Sequence, residues 1–415
     1  MNIYKGFLKR NVFIVGLFFS LILGTNGYYQ SFYFFEDATA QVLNKVLLDQ
    51  KNIKTEFGLY NIREENGYNL LSPLKRLYNH GQPNDLETIV ETIDIEQYNV
   101  SPYKSAYGLQ GIIVSGLYKL FKPIFRNFKF SFSTEVFVLQ FFIGFISSIV
   151  FASICYLLFI NFKKIYSITY FIFFFCSPFI NMFSFNLYFF TFLWFLPILI
   201  TLTGITFYRY KNFIFLLLIP IFTIKGLTSF EFLSSIMLSS FVPIIILLKE
   251  KKYEINSFIK DILLISVYSL MGVISSFLVF SFKKGNSILD GLRNIYYEDV
   301  LRRTIDISEF SDLSFLNIIS KFSVGMFSYE NILIHVNSGI LFLMLIFTPL
   351  ISFNFSKKKL IEYFFYLFIP FSWIILAFNH SYIHYFSVGI LFFLGTFQYL
   401  FIESFNFIIK GLEKK

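Results

Sequence analysis

Apolar runs of span length alternate along this chain with short polar turns, and two longer polar stretches interrupt them. A helix needs about 20 apolar residues to cross a bilayer. By that measure the runs near 11–25, 134–160, 165–183, 187–207, 260–281, 332–353, 361–377 and 385–405 each read as a crossing. The run 212–248 is too long for one span, and Pro220 and the polar insertion Lys225–Glu231 divide it into a helical hairpin. The pattern predicts an all-α polytopic membrane protein of about ten transmembrane helices.

The segments follow from that count. Residues 1–25 hold the first transmembrane helix, 26–130 a long extracytoplasmic loop, 131–282 a transmembrane bundle, 283–331 a second extracytoplasmic loop, and 332–415 the last transmembrane helices with a basic tail. Within the first loop, residues 37–52 place Ala38, Val42 and Val46 on one helical stripe with Leu43 and Leu47 beside it. The apolar stretch 112–121 is too short to span and predicts a second helix lying in the interface. Between these two juxtamembrane helices runs a polar excursion with turn signals at Asn66-Gly67, Ser72-Pro73, Gly81 and Pro83.

Composition agrees with this class. The chain is 56% hydrophobic and only 15% charged, where soluble domains carry roughly a quarter of their residues charged. The net charge of +9 would suit a polyanion, but the Lys and Arg residues sit in clusters between apolar runs, at Lys163-Lys164, Lys249-Glu250-Lys251-Lys252 and Lys357-Lys358-Lys359. That is the positive-inside pattern, which argues against a nucleic-acid partner and puts both termini in the cytoplasm. No small-residue cleavage site follows the first apolar run, so it reads as an uncleaved span. Cys155 and Cys176 both lie in apolar segments and read as packing residues. The 62 Phe residues accompany abundant Ile, Lys and Asn, so single aromatics carry little functional weight.

Four polar constellations stand out. Glu36-Asp37 follows the first span by about ten residues; the pair is either the acidic first turn of a helix or a general base tuned by desolvation. Lys225 and Glu231 stand near the hairpin tip, where they could pair with each other or Lys225 could bind an anionic headgroup. Arg302-Arg303 lie in the second outer loop against the positive-inside bias, suited to bidentate phosphate contact or to an ion-pair network with Asp299 and Asp306. His380 and His384 sit four apart in the last outer turn, placed to hydrogen-bond a phosphate or sugar or simply to cap helices. Two His without an assigned third ligand do not make a metal site. No cofactor is firmly indicated, though the pattern leaves room for a divalent metal. There is no P-loop, dinucleotide fingerprint, G-x-S-x-G or zinc spacing, so an energy-rich substrate would reach the chain on a lipid carrier.

Glu36-Asp37 after span 1, the paired interfacial helices, the stretch from Tyr103 through Gln110 to Gly111 and the His380–His384 turn resemble the GT-C superfamily of polytopic glycosyltransferases. The resemblance implies a bacterial inner-membrane enzyme of cell-envelope glycan assembly. It would move sugar from a polyprenyl-phosphate-linked donor to a glycan, lipid or protein acceptor at the extracytoplasmic face. Asp37 would be the base, with Glu36 second. Lys225, Arg302, Arg303, His380 and His384 would contact phosphate, and Tyr103 and Gln110 would line the substrate. The chain lacks the large soluble C-terminal domain of the best-known members. A lipid or glycan transporter or flippase, an O-antigen-type polymerase or ligase, and a noncatalytic envelope-assembly protein are the alternative readings.

Overall fold

The computed structural model describes residues 36–63, 95–177, 180, 183–250, 254–301, 357–377, 380–381 and 390–412. Helices dominate these residues. Four are long and apolar enough to cross a membrane: Phe132–Asn161, Tyr208–Thr228, Ile255–Lys284 and Lys359–Leu376. Shorter apolar helices cover Lys164–Phe174, Phe192–Thr206 and Leu233–Lys249. The chain is a helical membrane protein by these segments. The predicted spans at 11–25 and 332–353 lie outside the described residues.

Before the first of these spans comes a small unit of helix and ribbon. Helix α1 (Glu36–Gln50) matches the predicted first juxtamembrane helix and buries Ala40, Leu43, Val46 and Leu47. Two four-residue strands, β1 (Tyr60–Arg63) and β2 (Asn99–Pro102), then pair antiparallel, with Tyr60 opposite Pro102 and Arg63 opposite Asn99. This ribbon corrects the expectation of turns alone between the juxtamembrane helices. Asn44 Nδ2 donates to the Tyr60 carbonyl at 2.9 Å, tying α1 to β1. The second predicted helix of the loop, α2 (Leu109–Phe128), is 20 residues long and runs well past the predicted 112–121, because Lys122 and Arg126 interrupt its apolarity without breaking its helical phase.

Helix α3 (Phe132–Asn161) begins three residues after α2, with Ser131 as its N-cap accepting from the Thr134 amide. It packs against α4 (Lys164–Cys176) and α5 (Phe192–Thr206) through stacked Phe151 and Phe174 and the edge of Phe195. Both helices are shorter than the predicted spans; α4 stops at Ser177, before Pro178. The predicted hairpin is present, with a longer first arm than its apolar run suggested. A helical run from Tyr208 ends in α6 (Lys211–Leu216) and α7 (Leu218–Thr228), the chain breaks at residues 229–232, and α8 (Leu233–Ser239) and α9 (Val242–Lys249) return.

Helix α10 (Ile255–Lys284) lies along α7, where Gly226 and Gly272 let the two backbones approach. A short helix α11 (Ile288–Ile295) and a π-helical turn (Tyr296–Leu301) follow. Helix α12 (Lys357–Leu376) packs on α8. Of the last predicted span, 385–405, residues 385–389 lie outside the described residues; in the rest a 3-10 turn (Ile390–Leu394) and Gly395 at φ 146° precede α13 (Thr396–Leu412). A positive φ that L-residues avoid ends the first turn and resets the helix.

Two hydrophobic clusters hold these elements. The larger fills the bundle and takes in one side of α1 and α2. The smaller joins Leu47, Leu48, Phe57, Tyr60, Ile62 and Ile95 of the first loop to Leu227, Phe230, Phe280 and Ile295. The helix–ribbon unit therefore docks at the end of the bundle formed by the hairpin break, the end of α10 and α11. Ion pairs mark other helix ends. Lys249 meets Glu403 and, at 3.4 Å, Glu362; Lys359 meets Glu403 at 3.1 Å; Lys211 meets Asp261 at 3.0 Å. Basic clusters predicted to be simple topogenic signals are thus partly spent on buried carboxylates.

Candidate functional site

The hairpin break gathers the polar groups. Helix α7 ends where Thr228 Oγ1 and the Ser229 amide both bond the Lys225 carbonyl, at 2.7 and 3.0 Å. Ser229 is extended, Ser229 Oγ accepts from the Glu231 amide at 3.1 Å, and Phe232 takes φ 66° before α8 starts. A bulky residue with positive φ is strained, so the break is held by its surroundings. Phe232 does pack between Trp194 and Trp373, with ring centroids at 4.9 and 5.4 Å.

Lys225, only 2% exposed, is buried in protein, which corrects its expected place at an interfacial tip. Its Nζ donates to the Ser229 carbonyl at 2.6 Å. Glu231 is buried too, and its Oε1 lies 3.1 Å from Nε2 of His380. The rings of His380 and Trp373 meet nearly at right angles, with centroids 6.4 Å apart. The structure therefore pairs Glu231 with His380, drawn from two separate sequence constellations, and holds Lys225 in the same hairpin break through Ser229. A buried ionisable group in a membrane bundle is costly and marks a site worth testing. Nε1 of Trp373 and Oγ of Ser381, both buried beside His380, have no hydrogen-bond partner among the described residues.

The remaining candidates divide. Glu36 and Asp37 are the first described residues of α1. Two residues on, buried Thr39 accepts from Asn186 Nδ2 at 3.4 Å. Asn186 Oδ1 in turn accepts from the amides of Tyr188 and Phe189. The Phe189 ring packs on Trp194, and Trp194 on Phe232. Thr39 of α1 and His380 thus lie at the two ends of one run of contacts through Asn186, Phe189, Trp194, Phe232 and Trp373. Gln110, fully buried, has neither amide atom bonded among the described residues. Two positions before it, the Gly108 amide donates to the Leu227 carbonyl at 3.1 Å, close to Lys225 in the chain. Tyr103 is half-buried, and its amide donates to Leu59 in the ribbon's approach. Arg302, Arg303 and His384 lie outside the described residues.

Sequence reasoning considered Glu231 only as a partner for Lys225 and did not single out Ser229, Asn186 or Trp373. The 149 positions between Glu231 and His380 leave no spacing signal to read. Among the described residues no three of His, Cys, Asp or Glu cluster as metal ligands would. No family model, curated protein or solved structure matches the chain.

Proposed function

We propose that this protein is a membrane glycosyltransferase that takes sugar from a polyprenyl-phosphate-linked donor. The supporting observation is the buried Glu231–His380 pair with Lys225 beside it in the hairpin break, and the bond from Asn186 to Thr39, two residues after Asp37 on α1. Such a pairing of an acid-bearing helix end with buried cationic or protonatable groups suits a displacement at an anomeric carbon. Asp37 takes the proton of an acceptor hydroxyl, the oxygen attacks the anomeric carbon, and the carbon–phosphate oxygen bond breaks to release polyprenyl phosphate. Lys225 and His380 offset the charge developing on the departing phosphate, and Glu231 orients the imidazole. A single displacement inverts the anomeric carbon.

The test is sugar transfer from a polyprenyl-phosphate-linked donor in membranes containing the full chain. Asp37→Asn is expected to lower the rate by about 100-fold or more, in keeping with the loss of a general base, and Glu231→Gln to lower it less. Unchanged transfer in Asp37→Asn and in Glu36→Gln would sink the general-base role. One observation favours a transporter instead: a helix broken at 229–232 beside buried ionisable residues is a common plan for substrate sites in carriers. Movement of the lipid-linked sugar across sealed vesicles without transfer would establish that reading.

A further inference from the structure

Helix α2 has two apolar faces, and the bundle covers only one. Val114, Tyr118 and Phe125 are buried. Outside that face Ile112, Leu120, Ile124 and Phe128 are exposed over a broad arc of the helix, Leu120 at 68% and Phe128 at 69%. Lys119, Arg126 and Lys129 are exposed along the same helix, and Lys122 is half-exposed. Lys119 lies 3.5 Å from Asp49; Lys122, Arg126 and Lys129 have no acid partner among the described residues.

The connection to α3 identifies what covers this face. Lys129 takes a left-handed conformation and Ser131 caps α3, so α2 ends within one turn of the 30-residue span. Thirty residues at about 1.5 Å each make about 45 Å of helix, against about 30 Å of hydrocarbon. The ends of α3 therefore reach the headgroup layers, and the end of α2 sits in one of them. An apolar arc flanked by Lys and Arg at that depth matches a helix lying in the interface.

We propose that α2 docks on the bilayer surface and that Lys119, Lys122, Arg126 and Lys129 bind anionic phospholipid headgroups there. The partner is the membrane itself, and the inference stands whether or not the protein transfers sugar. Four cations held near an anionic leaflet attract it by an amount that salt screens within a Debye length.

The full chain would be reconstituted in nanodiscs of phosphatidylcholine mixed with phosphatidylglycerol, with a fluorophore on Leu120→Cys in a background of Cys155→Ser and Cys176→Ser. Brominated lipid is expected to quench the fluorophore. Phosphatidylglycerol retained on delipidation is expected to fall at least about tenfold when Lys119, Lys122, Arg126 and Lys129 are all changed to Gln, a loss that even one or two such charges near a membrane would produce. High salt should reproduce that loss in the unsubstituted chain, which guards against misfolding of the variant. Absence of quenching would show that protein or solvent covers the arc and would overturn the proposal. Equal phosphatidylglycerol retention at all salt concentrations would overturn it as well.

Discussion

At the scale of single residues, Asp49 carries the clearest electrostatic signature outside the spans. Burial raises its carboxyl, but hydrogen bonds from Lys45 and Ser115 and the charges of Lys45 and Lys119 outweigh that and hold it below its ordinary 3.8. Lys45 Nζ and Ser115 Oγ each approach to 2.6 Å, joining the end of α1 to α2. A carboxylate with a lowered folded value stabilises the fold fully above the unfolded value, and that contribution is lost as pH falls through the folded one. Asp49→Asn should therefore lower the melting temperature at neutral pH. The gap to the unsubstituted protein should close below about pH 4. Melting curves of both proteins in detergent across that range provide the check. Sequence pattern placed Asp49 on the helix but not its partners, because Ser115 lies 66 positions away.

At the scale of elements, the docking of the first loop depends on backbone touching backbone. A Cβ on Gly111 would stand 1.6 Å from the Gly58 carbonyl oxygen, and one on Gly58 would stand 1.7 Å from that of Gly108. Neither methyl fits without parting the start of α2 from the approach to β1. Gly111→Ala is expected to cost about 1–3 kcal/mol, as overpacking does, and to speed proteolysis of the first loop. Gly116, on the same helix, has nothing within 4 Å of such a methyl. Gly116→Ala should instead stabilise by about 0.5–1 kcal/mol, the helical preference of Ala over Gly. Paired melting and proteolysis curves of the two variants separate contact from propensity. The helices themselves were legible from hydrophobic runs: α3 extends its predicted span by three residues, and α10 runs five residues earlier and three later than predicted. The ribbon was not, because Tyr60–Arg63 and Asn99–Pro102 are too short to show alternation and their register is a long-range property.

At the scale of the whole molecule, the smaller hydrophobic cluster puts the first loop and Ile295 at one end of the bundle. Lys164 and Ile255 begin helices whose neighbours Lys163 and Asp261 bond Glu250 and Lys211 away from that cluster. Single cysteines at Gln97 and Leu289, in a background without Cys155 and Cys176, should label from one side of sealed vesicles. Those at Lys164 and Glu254 should label from the other. Labelling of Gln97 and Leu289 from opposite sides would contradict the shared end. Hydropathy and charge carry the expectation of two sides that this labelling tests. They could not foretell that Glu231 and His380 meet, since a contact across 149 positions is made by packing and leaves no local trace.

The bond from the Gly108 amide to the Leu227 carbonyl has a consequence for how the protein is made. The helix–ribbon unit emerges early in synthesis, yet the surface it docks on extends to Ile295. At about 5–20 residues per second, close to 200 further residues take roughly 10–40 s to appear. Throughout that interval Phe57, Tyr60 and Ile62 face solvent or a chaperone, so the membrane insertion of α7 and α10 times the maturation of a loop encoded far upstream.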